Sequence, residues 1–554
     1  MRKVRRFLAV LLIGVLVLGM TPGMPTPVQA ADAHTIVLNS TQNADGSYSH
    51  TVLYDGAAVT EYDYTWHADP STVHSDVSNS PAEYFTGTKP GDDAVYIAHD
   101  IYYYPELDSG RFTRINYDGE QEWVYYYTAS GYTNYIFSTL PGRSSLPTQM
   151  MHSADEAYDN AVLHINRPGS YIIEGNWHGQ IWVDLETYCD DPFTDPTAKV
   201  ELILNGVDIE CTVAAGVVFN NVYECDNTWE DKSSWSHKVD TSDAGAVVTL
   251  ADGTVNNVSG TNIFRILKTQ YKSGSTSVQK KRLKIDGAFY SYQSMNIQGG
   301  NAGTGVLNIT SGYEGLNTEL HLTINGGNVH INSQDDGINV NEDGVSVLSI
   351  NGGNLHILAG LGQEGDGIDS NGFIAVHGGT TISMANPGSD SGMDSDFGTY
   401  VFGGNVVALG STMDWAKNDS SVSYTHAAMN LRFSSSKSAG DSIVITDTAG
   451  NGIFAYDPDK DEIAGTKIRT YTGAIVSCDD FEIGQSYRVY IGGEVTGTET
   501  MGVYDMSTVT AVSNTYQQSY SGNTTFTLSA NVNAFSSVGN YSGTTNITVT
   551  PAGS

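Results

Sequence analysis

Three short phrases in the chain concentrate oxygen ligands: "QDDGINVNEDG" from Gln334, "EGDGIDSNG" from Glu364 and "SDSGMDSDFG" from Ser389. Each sets an acid, or in the third Ser391, before a glycine, an aliphatic residue and an Asp or Asn in the same order, and a fainter copy, "YEGLN", begins at Tyr313. Aligned on Gly315, Gly337, Gly367 and Gly392, the preceding residues are Glu314, Asp336, Asp366 and Ser391. The residues two after are Asn317, Asn339, Asp369 and Asp394. Asp335, Glu364, Asp390 and Asp396 stand beside them as further donors. No Lys or Arg occurs between Ile285 and Ala416. Carboxylates stacked this closely raise one another's pKa, and a hard divalent cation removes the conflict. Calcium takes six to eight oxygens in irregular geometry, whereas zinc would ask for His or Cys. Solvated turns, in which Asp and Asn flank Gly, account for one such phrase but less well for three in phase.

The elements that would position these acids repeat with them. Glycine doublets close short β-type runs at Gly326–Gly327, Gly352–Gly353, Gly378–Gly379 and Gly403–Gly404, at steps of 26, 26 and 25 residues. A constant period of this size marks one supersecondary unit stacked on its neighbours. Each unit reads as three short strands, as in "DGINV", "SVLSI" and "NLHIL", which gives a right-handed parallel β-helix in an all-β chain. Leu316, Ile338, Ile368 and Met393 then stack inward, the glycine makes the turn, and the acids face outward. His330 and His356 share one phase of the repeat and read as an exposed surface ladder rather than a metal site. "DPDKDE" from Asp457 lacks the EF-hand glycine and reads as a loop.

Weaker copies upstream extend the solenoid over 156–425, seven or eight coils in all. Residues 31–155 are rich in tyrosine and read as a β region or cap, 426–515 as a small antiparallel β unit, and 516–554 as a Ser/Thr/Asn-rich tail. Solenoid ends need such caps, because open ends expose unpaired strand edges and core. Residues 1–30 read as a secretory signal peptide: Arg2, Lys3, Arg5 and Arg6, the apolar run Phe7–Met20, then "VQA" ending at Ala30. A secreted, extracellular or cell-surface protein is expected, without membrane insertion.

The formal net charge of −36 disfavours nucleic acid and bare anionic membranes as partners. Four cysteines, Cys189, Cys211, Cys225 and Cys478, fit no zinc template. Outside the cell a disulfide is possible, with Cys211 and Cys225 the nearest pair, although the spacing fixes no connectivity.

The linked phrases "LTINGGNVHINSQDDGINVNEDG", "LSINGGNLHILAG" and "EGDGIDSNG" resemble a group of secreted proteins, typical of clostridia, that carry a carbohydrate-binding domain with a polysaccharide-lyase-like β-helix. The resemblance spans roughly 160–410. It implies a right-handed parallel β-helix, bound calcium, and binding of cellulose and of acidic plant cell-wall sugars such as polygalacturonate. Carried over by position, Asp336, Asn339, Glu364, Asp366, Asp369, Asp390 and Asp394 are the calcium-associated residues. Ser391 departs from the pattern, so the third copy would draw on Asp390 or Asp396.

A non-catalytic binding protein is the leading expectation, with Trp177, Trp182 and Trp415 as candidate stacking platforms, although each taken singly reads more readily as a core or interface aromatic. The alternatives are a calcium-dependent pectate-type lyase and a structural adhesin. A lyase needs a base beside the metal, usually Arg or Lys. The basic cluster Lys272, Lys280, Lys281, Arg282 and Lys284 precedes the acids and would have to reach across. A hydrolase needs two free carboxylates, and few remain free if the acids chelate calcium.

Overall fold

The computed structural model describes residues 33–513 except 74–80, 104–109, 116–120, 130–131, 138–151, 227–230, 264–265, 272–278, 363, 418, 420, 462, 464–468, 483–484, 493 and 510; beyond 513 it describes only 517–518, 526–527 and 550–551. Residues 1–30, read from the sequence as a signal peptide, and nearly all of the tail lie outside the described residues. Among the described residues the chain is all-β, with one six-residue α-helix, Ala154–Asp159, and short 3-10 turns.

The 26-residue rhythm becomes three stacks of parallel strands. The first runs through Val217–Asn221, Gly287–Ser291, Glu314–Thr318, Ile338–Val340, Ile368–Ser370 and Asp394–Ser395. The second runs from Ala246–Leu250 through Leu322–Ile324 and Val347–Ile350 to Gly398–Val401. The third runs from Val255–Gly260 through Asn328–Ser333 and Asn354–Leu358 to Asn405–Gly410. These stacks belong to one large mixed sheet. Between second and third strands the doublet's second glycine turns the chain, with φ of +85° at Gly327, +81° at Gly353, +77° at Gly379 and +84° at Gly404. Only glycine takes that conformation without strain.

Alternation along each strand sends one set of side chains inward. Leu316, Ile338, Ile368 and Met393 are wholly buried, one above the next, as the pattern requires. The glycine before each of them has a different task from the expected turn. None of Gly315, Gly337 and Gly367 adopts a positive φ. A Cβ on Gly315 would lie 2.5 Å from Gly337 O, one on Gly337 2.5 Å from Gly367 O, and one on Gly367 2.5 Å from Gly392 O. Glycine is needed here so that successive repeats can approach. Gly337→Ala is therefore expected to destabilise the fold by about 1–3 kcal/mol, read as a lowered denaturation midpoint; an unchanged midpoint would contradict the close approach.

Both ends of the stack are covered. His34–Gln42 runs parallel to Gly169–Asp184 and is itself paired antiparallel by Tyr48–Tyr54, while Val95–His99 pairs antiparallel with Ala161–Ile165. At the other end Tyr471–Ser477 lies antiparallel to Asn405–Gly410 and is flanked by Ala428–Lys437. The C-terminal unit also overturns one expectation. His356 is not on an exposed ladder but fully buried, with Nε2 2.7 Å from Asp461 Oδ2 at the end of the "DPDKDE" run. Tyr456 Oη donates to the same carboxylate at 3.3 Å. All four cysteines are free thiols.

Candidate metal centre and the acidic ladder

Strand register makes the ladder. Asn317, Asn339, Asp369 and Asp394 are consecutive partners across the first stack. The preceding acids stack as well, because Gly315 N donates to Asp336 O at 2.9 Å, Gly337 N to Asp366 O at 3.0 Å and Gly367 N to Ser391 O at 2.9 Å. Phrases 22 to 30 residues apart in sequence are thus brought to one inter-strand spacing, about 4.8 Å.

The acids do not stand out in solvent as expected. Glu314 is 5% exposed and Asn317 is fully buried, while Asp335, Asp336, Asp366, Asp369 and Asp394 are half-buried. Three of them converge: one oxygen each from Asp366, Asp369 and Asp394 lies within 4.8 Å of the others. Burial first, then the Asp394 and Asp396 charges, raises Asp369 to about 7. Burial, opposed by the Ser391 amide and reinforced by Asp394, Asp369 and Asp390, raises Asp366 to about 8. Glu314 is raised to about 8 by burial and Asp286, and Asp336 is pushed well up by burial and then Glu314.

Hydrogen bonds sort the remaining candidates. Asp336 Oδ1 accepts from Asp366 N at 2.8 Å and Oδ2 accepts from Asn339 Nδ2 at 3.1 Å. Asn339 Nδ2 also donates to Glu314 Oε1 at 3.2 Å, and Asn317 donates to Glu314. Asp390 is not in the converging trio but is held against the second phrase: its Oδ2 accepts from Gly365 N at 2.9 Å and its Oδ1 from Ser389 Oγ. Glu364 is half-buried in the approach to the second phrase and is not among the converging trio. Asp396 is raised by burial and by Asp394 at the ladder's edge. Ser391, which breaks the acidic pattern, contributes its backbone instead, donating N–H to Asp366 Oδ1 at 2.5 Å.

Two of the buried oxygens left without a hydrogen-bond partner belong to residues beside the ladder: Asn339 Oδ1 and Asp414 Oδ2. Asp414 was missed in the sequence because it follows the last repeat, yet it senses the Asp394 and Asp396 charges. An all-oxygen donor set, a close carboxylate trio and orphaned buried acceptors fit a calcium-type cation, since each orphan otherwise costs about 1–3 kcal/mol.

Nor is the ladder free of cations. Lys284 reaches it from the neighbouring repeat, donating to Asn341 Oδ1, lying 4.0 Å from Asp286 Oδ2 and lowering the pKa of both Glu314 and Asp369. Lys417 does the same to Asp414 from the other end. The side chains of Lys272, Lys280, Lys281 and Arg282 lie outside the described residues. Of the candidate tryptophans, Trp177 is core, Trp415 packs against the core, and Trp182 lines a cleft on the same face as the ladder.

No helix among the described residues is long and apolar enough to cross a membrane. No curated protein matches the chain. The solved polysaccharide lyase-like protein from C. thermocellum, a gadolinium derivative, is 19% identical, with 44% of this chain and 83% of that chain covered at a TM-score of 0.24. Residues 232–475, which carry the acidic ladder, match the model of a family described as carbohydrate-binding domain-containing proteins, in keeping with the family that the repeated phrases resemble.

Proposed function

We propose that this is a secreted, non-catalytic polysaccharide-binding protein whose stacked repeats close into a right-handed parallel β-helix stabilised by calcium. The observation that carries the reading is the convergence of Asp366, Asp369 and Asp394 from consecutive phrases on one face of a carbohydrate-binding family's sheet. Asp366, Asp369 and Asp394 would hold the ion, with Asn339 and Asp414 offering their orphaned oxygens and Asp335, Asp336 and Asp396 alongside. Such an ion neutralises the ladder and supplies a positive point to which a uronate carboxylate can bind. That is how so acidic a chain would retain an acidic plant cell-wall polymer such as polygalacturonate. The basic and apolar N-terminus supports export.

The test is retention of the mature protein on polygalacturonate and on cellulose, with and without a chelator. Calcium-dependent retention on polygalacturonate is expected; no retention on any polysaccharide sinks the reading.

A calcium-dependent lyase is the second reading, and Lys284 is the observation that favours it, being a cation placed beside the acids. Elimination needs a base to take the proton alpha to the uronate carboxylate. The Lys284 ammonium is engaged with Asn341 and Asp286, where it serves as counter-charge. We therefore expect no rise in absorbance from unsaturated uronate products with either wild type or Lys284→Ala. Product formed by wild type and lost in Lys284→Ala would establish the lyase instead.

A further inference from the structure

A second cleft opens on the ladder's own sheet, at the N-terminal end. Its volume is about 500 Å³, and Tyr64, Phe85, Tyr102 and Trp182 supply aromatic wall. Phe85 is 41% exposed and stacks on Tyr64 with ring centroids 4.9 Å apart and planes 2° apart. Elsewhere in the lining, the Tyr102 ring lies 5.9 Å from that of Trp182 and 5.2 Å from that of buried Trp66.

The polar part of the lining selects the ligand. It includes Asp100, Asp184 and Glu186 and no Lys or Arg, so an anionic sugar would be repelled. The carboxylates are also partly satisfied, which weakens them as a trap for an ammonium. Asp100 Oδ1 lies 2.8 Å from His164 Nε2, and Asp184 Oδ2 accepts from Asn220 Nδ2 at 2.8 Å and from Asn221 Nδ2 at 3.0 Å. Aromatic faces with fixed acceptors and amides match the C–H face and hydroxyl rim of an uncharged pyranose ring.

We propose that this cleft binds a neutral pyranose unit of a polysaccharide, independently of the metal-binding acids. The inference rests on the carbohydrate-binding reading and adds a second subsite of different ligand chemistry. Register places the two on one line: Trp182, Val218, Tyr290, Asn317, Asn339 and Asp369 are successive partners across neighbouring strands. Five steps of about 4.8 Å separate Trp182 from Asp369, or about 24 Å. A polymer with both neutral and acidic stretches would engage both subsites at once and gain avidity from the linkage.

Calorimetric titration of the full mature chain with cello-, manno- and xylo-oligosaccharides, beside polygalacturonate and glucosamine oligomers, tests this. At least one neutral oligosaccharide should bind with a Kd that chelator does not change. Phe85→Ala, on an exposed ring, should weaken it on the order of tenfold, and Tyr64→Ala similarly. Calcium-dependent retention on polygalacturonate should be unaltered in both variants. The proposal is overturned if no neutral oligosaccharide binds, if both variants keep wild-type affinity, or if glucosamine oligomers bind in preference. Loss of the polygalacturonate arm alone would count against the calcium-ladder reading and leave the cleft standing.

Discussion

Calcium should raise the melting temperature strongly at pH 8 and hardly at all at pH 5. Asp366 and Asp369 hold their protons to about 8 and about 7 in the calcium-free fold, against an ordinary value of 3.8. The unfolded chain releases those protons near pH 4. Between that pH and about 8 the folded state binds more protons than the unfolded state, so calcium-free stability falls as pH rises and levels off above the folded values. A cation that displaces the protons removes this loss, and its affinity rises as the acids ionise. At free calcium a hundredfold above its Kd the gain is about 2.7 kcal/mol. Thermal melts with calcium and with chelator across this range check the claim. An equal calcium increment at both pH values, or none at pH 8, would contradict it.

Replacing the repelling acids should have opposite effects in the two states. With Asp366→Asn and Asp369→Asn together, the calcium-free protein at pH 8 should be stabilised, on the order of a few kcal/mol, because the displacement of each pKa measures a penalty on the charged form. The same variant should lose the calcium increment altogether and so melt below calcium-loaded wild type. Parallel melts of both proteins, with calcium and with chelator, supply the comparison. A variant less stable than wild type even in chelator would mean that these acids hold the fold by hydrogen bonding alone, as turn residues do.

The ladder was legible because a fixed period converts sequence phase into spatial stacking. Leu316, Ile338, Ile368 and Met393 fall into one buried column, and Asn317, Asn339, Asp369 and Asp394 into register beside it, because the phrases share one phase of the glycine-doublet rhythm although they stand 22 to 30 residues apart. The motif's glycine was seen but its cause was not. Its role lies in the carbonyl of the next repeat, 2.5 Å from a would-be Cβ, and a contact across repeats has no signature within one phrase. Residues outside the period were harder still. Lys284 and Asp414 flank the acids from segments that precede and follow the regular repeats. His356 was placed on the surface because the repeat alone leaves it there, and the C-terminal unit brings Asp461 over it. The aromatic cleft joins Tyr64 and Phe85 to Trp182 through strand pairings between the N-terminal region and the first repeats, which no local pattern specifies.

The most direct test of the calcium ladder is diffraction from crystals grown in calcium. The account predicts an ion bound by Asp366, Asp369 and Asp394 with oxygens at about 2.3–2.6 Å, completed by Asn339 or Asp414. A water between those carboxylates at hydrogen-bonding distance, or the Lys284 ammonium moved into their midst, would contradict it.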